Sequence, residues 1–461
     1  MSVADLIGRR VLVLGLGLHG GGAAVARWLS RHQAAVTVSD LKSRSELGLV
    51  LRRLRGLPIR YVLGAHPLSL LRGCDLIVQN PAVPMDLPLL KQARRRGIQV
   101  ENEASLFLKL CPSKFILGVT GSKGKSTTAA LLGAMMQSWN KRAVVAGNIR
   151  DAVMFDVLDG LTTSTPVVLE LSSWHLELVG RHRLSLPLAV VTNVYQEHLN
   201  RYSSFRAYAQ AKAQIFLHQQ ANQAVVLNYD NPVTRRLARQ APGKIYWFSC
   251  RRSVTRGAYL AGSKAYWRAG QTKRLLFTKQ DVKIPGLHNL ANALAAAAAA
   301  YLSGVPPVNI RAALRAFIGF HDRLEFIGKV RGVDFYNDTT ATAPAATEAA
   351  LEAFGRQPLV VIAGGADKNL DYRHLAKILR QRVDALVLLP GSATVKLQQG
   401  LRHFRHVLLA ASMPEAVRLS AACARSGGAV LLSPGAASFG LFRHEFDRGA
   451  QFARAVRRLS S

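Results

Sequence analysis

The chain has 461 residues, of which 49% are hydrophobic and 19% charged, and its formal net charge is +34. This length predicts two or three domains with substantial cores, and no apolar run reaches the roughly 18 residues of a membrane-spanning helix. The four cysteines are widely spaced without a CxxC pair, which argues against a disulfide framework or a zinc site and favours a reducing, cytoplasmic location.

The excess of basic residues is compatible with a nucleic-acid surface, a membrane surface or polyanionic substrates. However, the Lys and Arg residues are spread along the chain instead of forming one tail, and only 7% of the residues are aromatic. We therefore favour a solvated basic surface. Nonspecific affinity for nucleic acid is still expected from such a charge.

The first predicted strand, 10–14, runs into a Gly-rich turn, Gly15-x-Gly17-x-x-Gly20, and a helical pattern follows it. A second strand ends at Asp40, 20 residues after the last of these glycines. This fingerprint predicts a dinucleotide-binding turn and, taken alone, indicates NAD. The same turn can hold any nucleotide diphosphate against the helix N-terminus. Asn80 follows a later strand, at the edge where open α/β sheets bind ligands.

A second Gly-rich turn lies between an apolar strand, 115–119, and an Ala/Leu-rich helical pattern. Gly121 and Gly124 lack a Cβ, so the backbone N–H groups of this turn can point at phosphate oxygens, and the next helix aims its positive end at the same anion. Lys125 would reach the β- and γ-phosphates, and the hydroxyl of Ser126 would bind Mg²⁺. The turn is thus predicted to be a phosphate-binding loop.

This loop departs from the general pattern at its first glycine. The pattern places that residue where this chain has Val119, and Gly118 stands one position early. The order of strand, turn, lysine, hydroxyl and helix is nevertheless the one that the mechanism needs.

Polar side chains follow the next strands of the central segment. Glu170 ends a hydrophobic strand beside the loop, where a carboxylate can hold Mg²⁺ directly or through water, and His198 follows another strand on the same side. Lys212 lies in a helical pattern among small apolar residues. Asn289 and Asn292 share one helix face; reading a purine edge and capping the helix are equally good explanations.

The last segment predicts another sheet, with a Gly turn and Lys368 after one strand and a small-residue turn, 433–438, after another. The predicted fold class is α/β with three domains. These are an N-terminal Rossmann-like domain (1–104), a central P-loop ATPase-like domain with a parallel sheet and helices (105–318), and a C-terminal Rossmann-like domain (319–461).

Taken together, several of these segments resemble the Mur ligase family of peptidoglycan synthesis, over essentially the whole chain. The motifs that carry the resemblance are 120–127, 169–173, 192–202, 288–294, 337–342 and 446–449. The branch of closest resemblance adds D-glutamate to UDP-N-acetylmuramoyl-L-alanine. It implies an ATP-dependent amide ligase with two Mg²⁺ sites, which forms an acyl phosphate and works as a cytoplasmic monomer without specific nucleic-acid binding or membrane insertion.

The resemblance also implies residue roles. ATP would be bound by Gly121, Ser122, Lys123, Gly124, Lys125, Ser126, Thr127, Asn289, Asn292, Arg323 and Asp338. The UDP-sugar would be bound by Leu18, His19, Asp40, Asn80, Asn148, Ser172 and His175. Mg²⁺ would be held by Ser126, Glu170, His198 and Lys212 as a carbamate, and the catalytic residues would be Lys125, His198 and Lys212. D-glutamate would be bound by Thr342, Lys368 and Ser438.

Four residues depart from the family pattern: Thr340 replaces a frequent Lys, Arg150 a Gly, His175 a frequent Gln, and Glu197 an Asp. They bear on fine substrate contacts more than on the phosphate chemistry. The alternatives are a sister ligase adding another amino acid, such as L-glutamate, or acting on a folate-type substrate. A basic nucleic-acid-binding P-loop ATPase and an NAD-dependent oxidoreductase are further alternatives.

Overall fold

A computed structural model describes residues 1–17, 20–149, 152–197, 201–402 and 404–460. Three β-sheets with five, nine and six strands occur in it, one after another along the chain. With the strands numbered β1 to β20 along the chain, the order of neighbouring strands across the sheets is β3-β2-β1-β4-β5, then β14-β13-β12-β11-β10-β9-β6-β8-β7, then β15-β16-β20-β17-β18-β19. In the described chain no helix is both long and apolar enough to cross a membrane.

The first sheet has five parallel strands. Its core strands are rich in Val and Leu and are buried on both faces, as expected for a sheet covered by helices. The elements are β1 (Arg10–Leu14), α1 (Gly21–Arg31), β2 (Ala35–Asp40), α2 (Gly48–Arg52), β3 (Arg60–Leu63), β4 (Leu76–Gln79), α3 (Pro88–Arg95) and β5 (Gln99–Asn102). The chain crosses from β3 over β1 to β4, which opens a crevice at the carboxyl end of β1.

The central sheet has nine strands around β6, which lies between β8 and β9. Its first elements are α4 (Glu103–Leu110), β6 (Ile116–Thr120), α5 (Lys125–Trp139), β7 (Val144–Gly147), α6 (Met154–Val157), β8 (Val167–Glu170), α7 (Ser173–Arg181), β9 (Leu188–Val191) and α8 (Phe205–Ala213). The later ones are β10 (Ala224–Asn228), α9 (Pro232–Ala238), β11 (Lys244–Ser249), β12 (Arg256–Ala261), β13 (Lys264–Ala269), β14 (Thr272–Thr278), α10 (Leu287–Leu302) and α11 (Pro307–Ala316).

The third sheet is parallel except for its first strand, which pairs antiparallel with the second. Its elements are β15 (Glu325–Val330), β16 (Val333–Asn337), α12 (Pro344–Glu352), β17 (Leu359–Gly364), α13 (Arg373–Arg382), β18 (Ala385–Leu389), α14 (Ser392–Gly400), β19 (Val407–Leu409), α15 (Met413–Cys423), β20 (Ala429–Leu432) and α16 (Glu445–Ser460).

Internal contacts divide the chain into two compact units. One comprises Met1–Asp281 and Ala291–Leu314, and the other begins with Val282–Leu290 and resumes at Arg315. In the first unit, side chains of the first and central sheets form one continuous hydrophobic core. Polar contacts join the same two parts, because Arg27 bonds to Asp156 at 2.5 Å and the indole N–H of Trp28 donates to Asp159 at 2.7 Å.

The predicted α/β class with Rossmann-like first and last parts around a phosphate-loop part is confirmed. The central sheet differs from the expected parallel sheet at one edge, where β12, β13 and β14 pair antiparallel. Two-residue hairpin turns join them, and each begins with a glycine at positive φ, Gly262 at 60° and Gly270 at 57°. Such turns match the twist of paired strands and therefore favour hairpins over helical crossovers.

Candidate active site

The predicted phosphate-binding loop lies at the carboxyl end of β6 and leads into α5. Gly121 and Gly124 have φ values of 153° and 79°, which side-chain-bearing residues rarely adopt. A Cβ on Gly124 would lie 2.2 Å from Oδ1 of Asn292, so Asn292 packs directly against the loop. Gly118 lies instead within β6, against Leu186, so it lies outside the turn.

The end of β9 holds this loop in place. Ser122 N–H donates to the carbonyl of Asn193 at 2.9 Å, and Lys123 N–H donates to Oδ1 of the same residue at 2.9 Å. The hydroxyl of Thr192 donates to the carbonyl of Lys123 at 2.7 Å. These bonds preorganise the loop, which lowers the reorganisation needed when an anion binds.

Two lysines point at the loop from different elements. Nζ of Lys125 donates to the carbonyl of Ser122 at 2.8 Å. Nζ of Lys212, carried by α8 and only 2% exposed, donates to the carbonyl of Gly121 at 2.7 Å. It also lies 4.7 Å from the ring centre of Tyr208, whose hydroxyl is 3.0 Å from the Oγ atom of Ser122. The loop is thus supported by α8 as well as by β9.

Burial, followed by the nearby charge of Lys125, lowers the pKa of Lys212 to about 7. A lysine that is uncharged in a large fraction of molecules at neutral pH can act as a nucleophile toward CO₂. The environment of Lys212 therefore fits the carbamate that the family resemblance implies.

Two oxygen donors suited to Mg²⁺ lie beside the loop, one at the end of β8 and one at the start of α5. Glu170 ends β8 with 1% exposure, and its Oε1 accepts from the side-chain amide of Asn148 at 3.2 Å. Ser126 lies half-buried in the first turn of α5. A carboxylate and a hydroxyl are ligands that Mg²⁺ prefers, so these donors fit the ion. His198 and Arg150, which the sequence also singled out, lie outside the described residues.

Ser172 and His175 begin α7. The hydroxyl of Ser172 accepts from the backbone N–H of His175 at 3.2 Å, and Nδ1 of His175 lies 3.4 Å from the backbone N of Ser172. Burial lowers the pKa of His175 to about 4, so its ring is neutral at physiological pH. The structure therefore gives both residues a role in capping the helix, and their contact with a substrate stays a prediction.

In the first sheet, the Gly-rich turn is held from two sides. Asp40 accepts from the backbone N–H groups of Leu16 at 2.8 Å and Lys42 at 2.9 Å. A Cβ on Gly17 would lie 2.7 Å from Nδ2 of Asn80, so Asn80 packs on the turn. Leu18 and His19 lie outside the described residues. Asp40 and Asn80 thus shape the turn, and direct contact with a UDP group stays a prediction.

The second unit brings Thr342, Lys368 and Ser438 to one edge of the third sheet. Nζ of Lys368 donates to the hydroxyl of Thr342 at 3.3 Å. Ala366 and Ala437 exchange backbone hydrogen bonds of 2.9 and 3.0 Å, which ties the loop after β17 to the turn that carries Ser438. A cation and two hydroxyls placed together can bind a carboxylate.

Asp338 and Arg323 lie near this cluster in the same unit. Asp338 is 5% exposed, and it accepts from the hydroxyl of Ser433 at 2.8 Å and the N–H of Leu324 at 3.3 Å. Burial raises the pKa of Asp338 to about 7, although Ser433, Leu324 and Arg323 oppose the rise. Asn289, another residue predicted to bind ATP, donates from its side-chain amide to the carbonyl of Pro285 at 2.7 Å. The carboxyl of Asp338 is thus fixed in orientation by Ser433 and Leu324, and its contact with a nucleotide stays a prediction.

Sequence reasoning assigned no role to several residues that build these sites. Part of this arrangement could be anticipated, because Thr192 and Asn193 lie in the motif 192–202 and Glu197 departs from the family pattern. Glu197 pairs with Lys123 of the loop at 2.6 Å. Thr340, another departure, donates to the carbonyl of Asp322 at 2.8 Å. No local pattern marked Tyr208, which reaches the loop from 86 residues away.

Three family models match successive parts of the chain. They are the Mur ligase MurD-like N-terminal domain over residues 9–102, the Mur ligase middle domain over 119–300, and the Mur ligase glutamate ligase domain over 322–436. The matches follow the three sheets in order, and together they cover most of the chain.

Curated relatives match over nearly their whole length. The UDP-N-acetylmuramoylalanine--D-glutamate ligase of Roseiflexus sp. (strain RS-1) is 44% identical, with 98% of this chain and 99% of that protein covered. A protein of the same name from Koribacter versatilis (strain Ellin345) is 36% identical, with 99% of each covered.

Solved structures share the fold. UDP-N-acetylmuramate-alanine ligase MurC from Thermotoga maritima matches with a TM-score of 0.60 and 22% identity, over 97% of this chain and 99% of that one. MurF ligase from the same organism, solved in complex with ADP, matches with a TM-score of 0.57 and 17% identity, over 98% and 99%.

Proposed function

This chain belongs to the Mur ligase family, and we propose that it joins D-glutamate to UDP-N-acetylmuramoyl-L-alanine in a reaction that converts ATP to ADP and phosphate. The observation that carries the proposal is the full-length likeness, 44% identical, to a ligase of that name. The anchored phosphate loop and the Thr342–Lys368–Ser438 cluster support it, because the reaction needs a phosphate cradle and a carboxylate pocket.

The chemistry follows from the poor reactivity of a carboxylate toward amines. An oxygen of the L-alanyl carboxylate attacks the γ-phosphorus of ATP, the bond to ADP breaks, and an acyl phosphate forms. The amine of D-glutamate then attacks the acyl carbon, loses a proton, and expels inorganic phosphate. Phosphorylation thus supplies the leaving group, and the protein contributes alignment and charge stabilisation.

Each part of this scheme has residues suited to it. The loop N–H groups and Lys125 would bind the transferred phosphoryl group. Mg²⁺, held by Ser126 and Glu170, would neutralise charge on the phosphates. Lys368, with Thr342 and Ser438, would bind a carboxylate of the incoming amino acid.

The decisive experiment measures ADP release with UDP-N-acetylmuramoyl-L-alanine and a panel of amino acids. We expect sustained turnover with D-glutamate and little with L-glutamate, glycine or L-lysine. Sustained turnover with a different amino acid would replace this proposal by the sister-ligase alternative. The oxidoreductase and nucleic-acid ATPase alternatives gain no support from the family matches, and adding NAD or DNA should leave the turnover unchanged.

A further inference from the structure

Helix α16 carries a buried arginine that is not among the predicted site residues. Arg448 lies in the first turns of α16, in the motif 446–449, and it is 0% exposed. Among the described residues no carboxylate forms an ion pair with it. Burying a guanidinium without an ion-pair partner costs free energy, so the hydrogen bonds of Arg448 must offset that cost.

Those contacts join two loops of the proposed amino-acid site. Nε of Arg448 donates to the hydroxyl of Thr339 at 3.0 Å, and one terminal nitrogen donates to the carbonyl of Thr339 at 2.8 Å. The other terminal nitrogen donates to the carbonyl of Ala436 at 3.1 Å. Thr339 lies between Asp338 and the turn that leads to Thr342, and Ala436 lies two residues before Ser438.

The packing around Arg448 leaves little room for adjustment. A Cβ on the next residue, Gly449, would lie 2.2 Å from Oδ1 of Asp322 and 2.7 Å from Cγ2 of Thr339. The hydroxyl of Thr339 also donates to the carbonyl of Glu445 at 2.7 Å, in the first turn of the same helix. The helix start, the strand end and the small-residue turn therefore form one rigid junction, with the guanidinium at its centre.

We propose that Arg448 is a positioning residue for the amino-acid substrate: its planar guanidinium fixes the turn bearing Ser438 relative to the strand end that leads to Thr342. This inference rests on the proposed function. Asp338 does not depend on Arg448, because Ser433 and Leu324 hold its carboxyl separately. Loss of Arg448 should therefore weaken amino-acid binding more than the phosphorylation step.

The test compares Arg448→Lys with the wild-type protein. Lysine keeps the charge but cannot make three directed bonds from a planar fork. We expect KM for D-glutamate to rise about tenfold or more, the effect of losing roughly one charge-assisted hydrogen bond. KM for UDP-N-acetylmuramoyl-L-alanine and the single-turnover conversion of ATP to ADP without D-glutamate should stay within about twofold of wild type, since a separate set of residues serves them.

Arg454→Lys is the matched control, because Arg454 lies on the same helix and is exposed; we expect wild-type kinetics. Thr339→Val is a second variant, which keeps the side-chain volume and removes the oxygen that accepts from Nε and donates to the carbonyl of Glu445. It should raise KM for D-glutamate about threefold, a smaller effect because two of the three bonds from Arg448 remain, and it tests the inference if Arg448→Lys does not fold.

Two results would overturn the inference. One is an unchanged KM for D-glutamate in folded Arg448→Lys and Thr339→Val. The other is a parallel loss of all activities together with a lower melting temperature, which indicates a purely structural role. If the wild-type protein uses another amino acid, the proposed function fails, and the same KM comparison with that amino acid still decides the role of Arg448.

Discussion

Replacing Glu103 by glutamine should remove a pH-dependent loss of stability from the first unit. Glu103 begins α4, is 8% exposed, and packs on the first turn of α1, where its Oε2 lies 2.5 Å from the position of a Cβ on Gly21. Its other oxygen, Oε1, is buried and has no hydrogen-bond partner among the described residues. Burial raises the pKa of this carboxyl from 4.5 to about 7, with a smaller contribution from Asp156 and an opposing one from the backbone of Met154.

The magnitude follows from this pKa. The folded protein holds the proton more tightly than the unfolded chain, so the stabilisation is complete below pH 4.5 and is lost as the pH rises through about 7. One pKa unit corresponds to about 1.4 kcal/mol, so the full loss is about 3 kcal/mol. Roughly 1.4 kcal/mol of it falls between about pH 6 and about pH 8.5.

The assay is urea unfolding of both proteins at these two pH values, followed by tryptophan fluorescence. All five tryptophans lie in the first unit, so the signal reports on the part that contains Glu103. Other titrating groups are common to both proteins and cancel in the difference. We expect the stability of Glu103→Gln relative to wild type to increase by about 1.4 kcal/mol from the lower to the higher pH. A difference that does not change with pH would refute the assigned burial of a titrating carboxyl.

Two further predictions concern catalysis. Lys125→Ala should fold normally and lose turnover by about two to three orders of magnitude, because it removes the charge proposed to face the transferred phosphoryl group. The control is Lys141→Ala, which changes an exposed residue just beyond α5. Wild-type turnover in Lys125→Ala would contradict the assignment of the loop. Removing CO₂ from the buffer should lower turnover, because a carbamate on Lys212 cannot re-form without it, and the loss should be greater at about pH 6, below the pKa of about 7 for Lys212, because fewer lysines are neutral and able to react with CO₂. Added bicarbonate should restore it in the wild type but not in Lys212→Arg, and intact mass measured under CO₂ would show whether the adduct forms.

What the sequence predicted best was local chemistry. The order of Gly121, Gly124 and Lys125 predicts a phosphate loop by itself, because each residue acts within one turn of the chain, and the structure places this turn between a strand and a helix as expected. The Gly turn after β1 was predicted for the same reason, and only the family resemblance implies a UDP-sugar there instead of NAD. The glycines that begin the two hairpin turns, Gly262 and Gly270, are also a local sequence signal for hairpins, but the expectation of a parallel central sheet did not take them into account.

The contacts that the sequence did not reveal are those between distant segments. The bond from Lys212 to Gly121 spans 91 residues, and the bonds from Arg448 to Thr339 span 109. A pattern of polar and apolar residues shows that a side chain is buried on a helix, but not which carbonyl meets it. For Glu103 the pattern even favours exposure, because acidic residues are rarely buried without a partner.

The continuous core beneath the first two sheets has a consequence for how the protein can be divided. Phe107 and Phe155, both fully or almost fully buried, pack edge-to-face at 6.3 Å, and Phe155 meets Trp28 of α1 at 5.4 Å. Cutting the chain near residue 104 would separate Trp28 from Phe107 and Phe155 and would expose their apolar surfaces to water. The predicted sugar-nucleotide turn and the predicted phosphate loop are thus carried by one hydrophobic core within one compact unit, so we expect these two parts of the chain to unfold together.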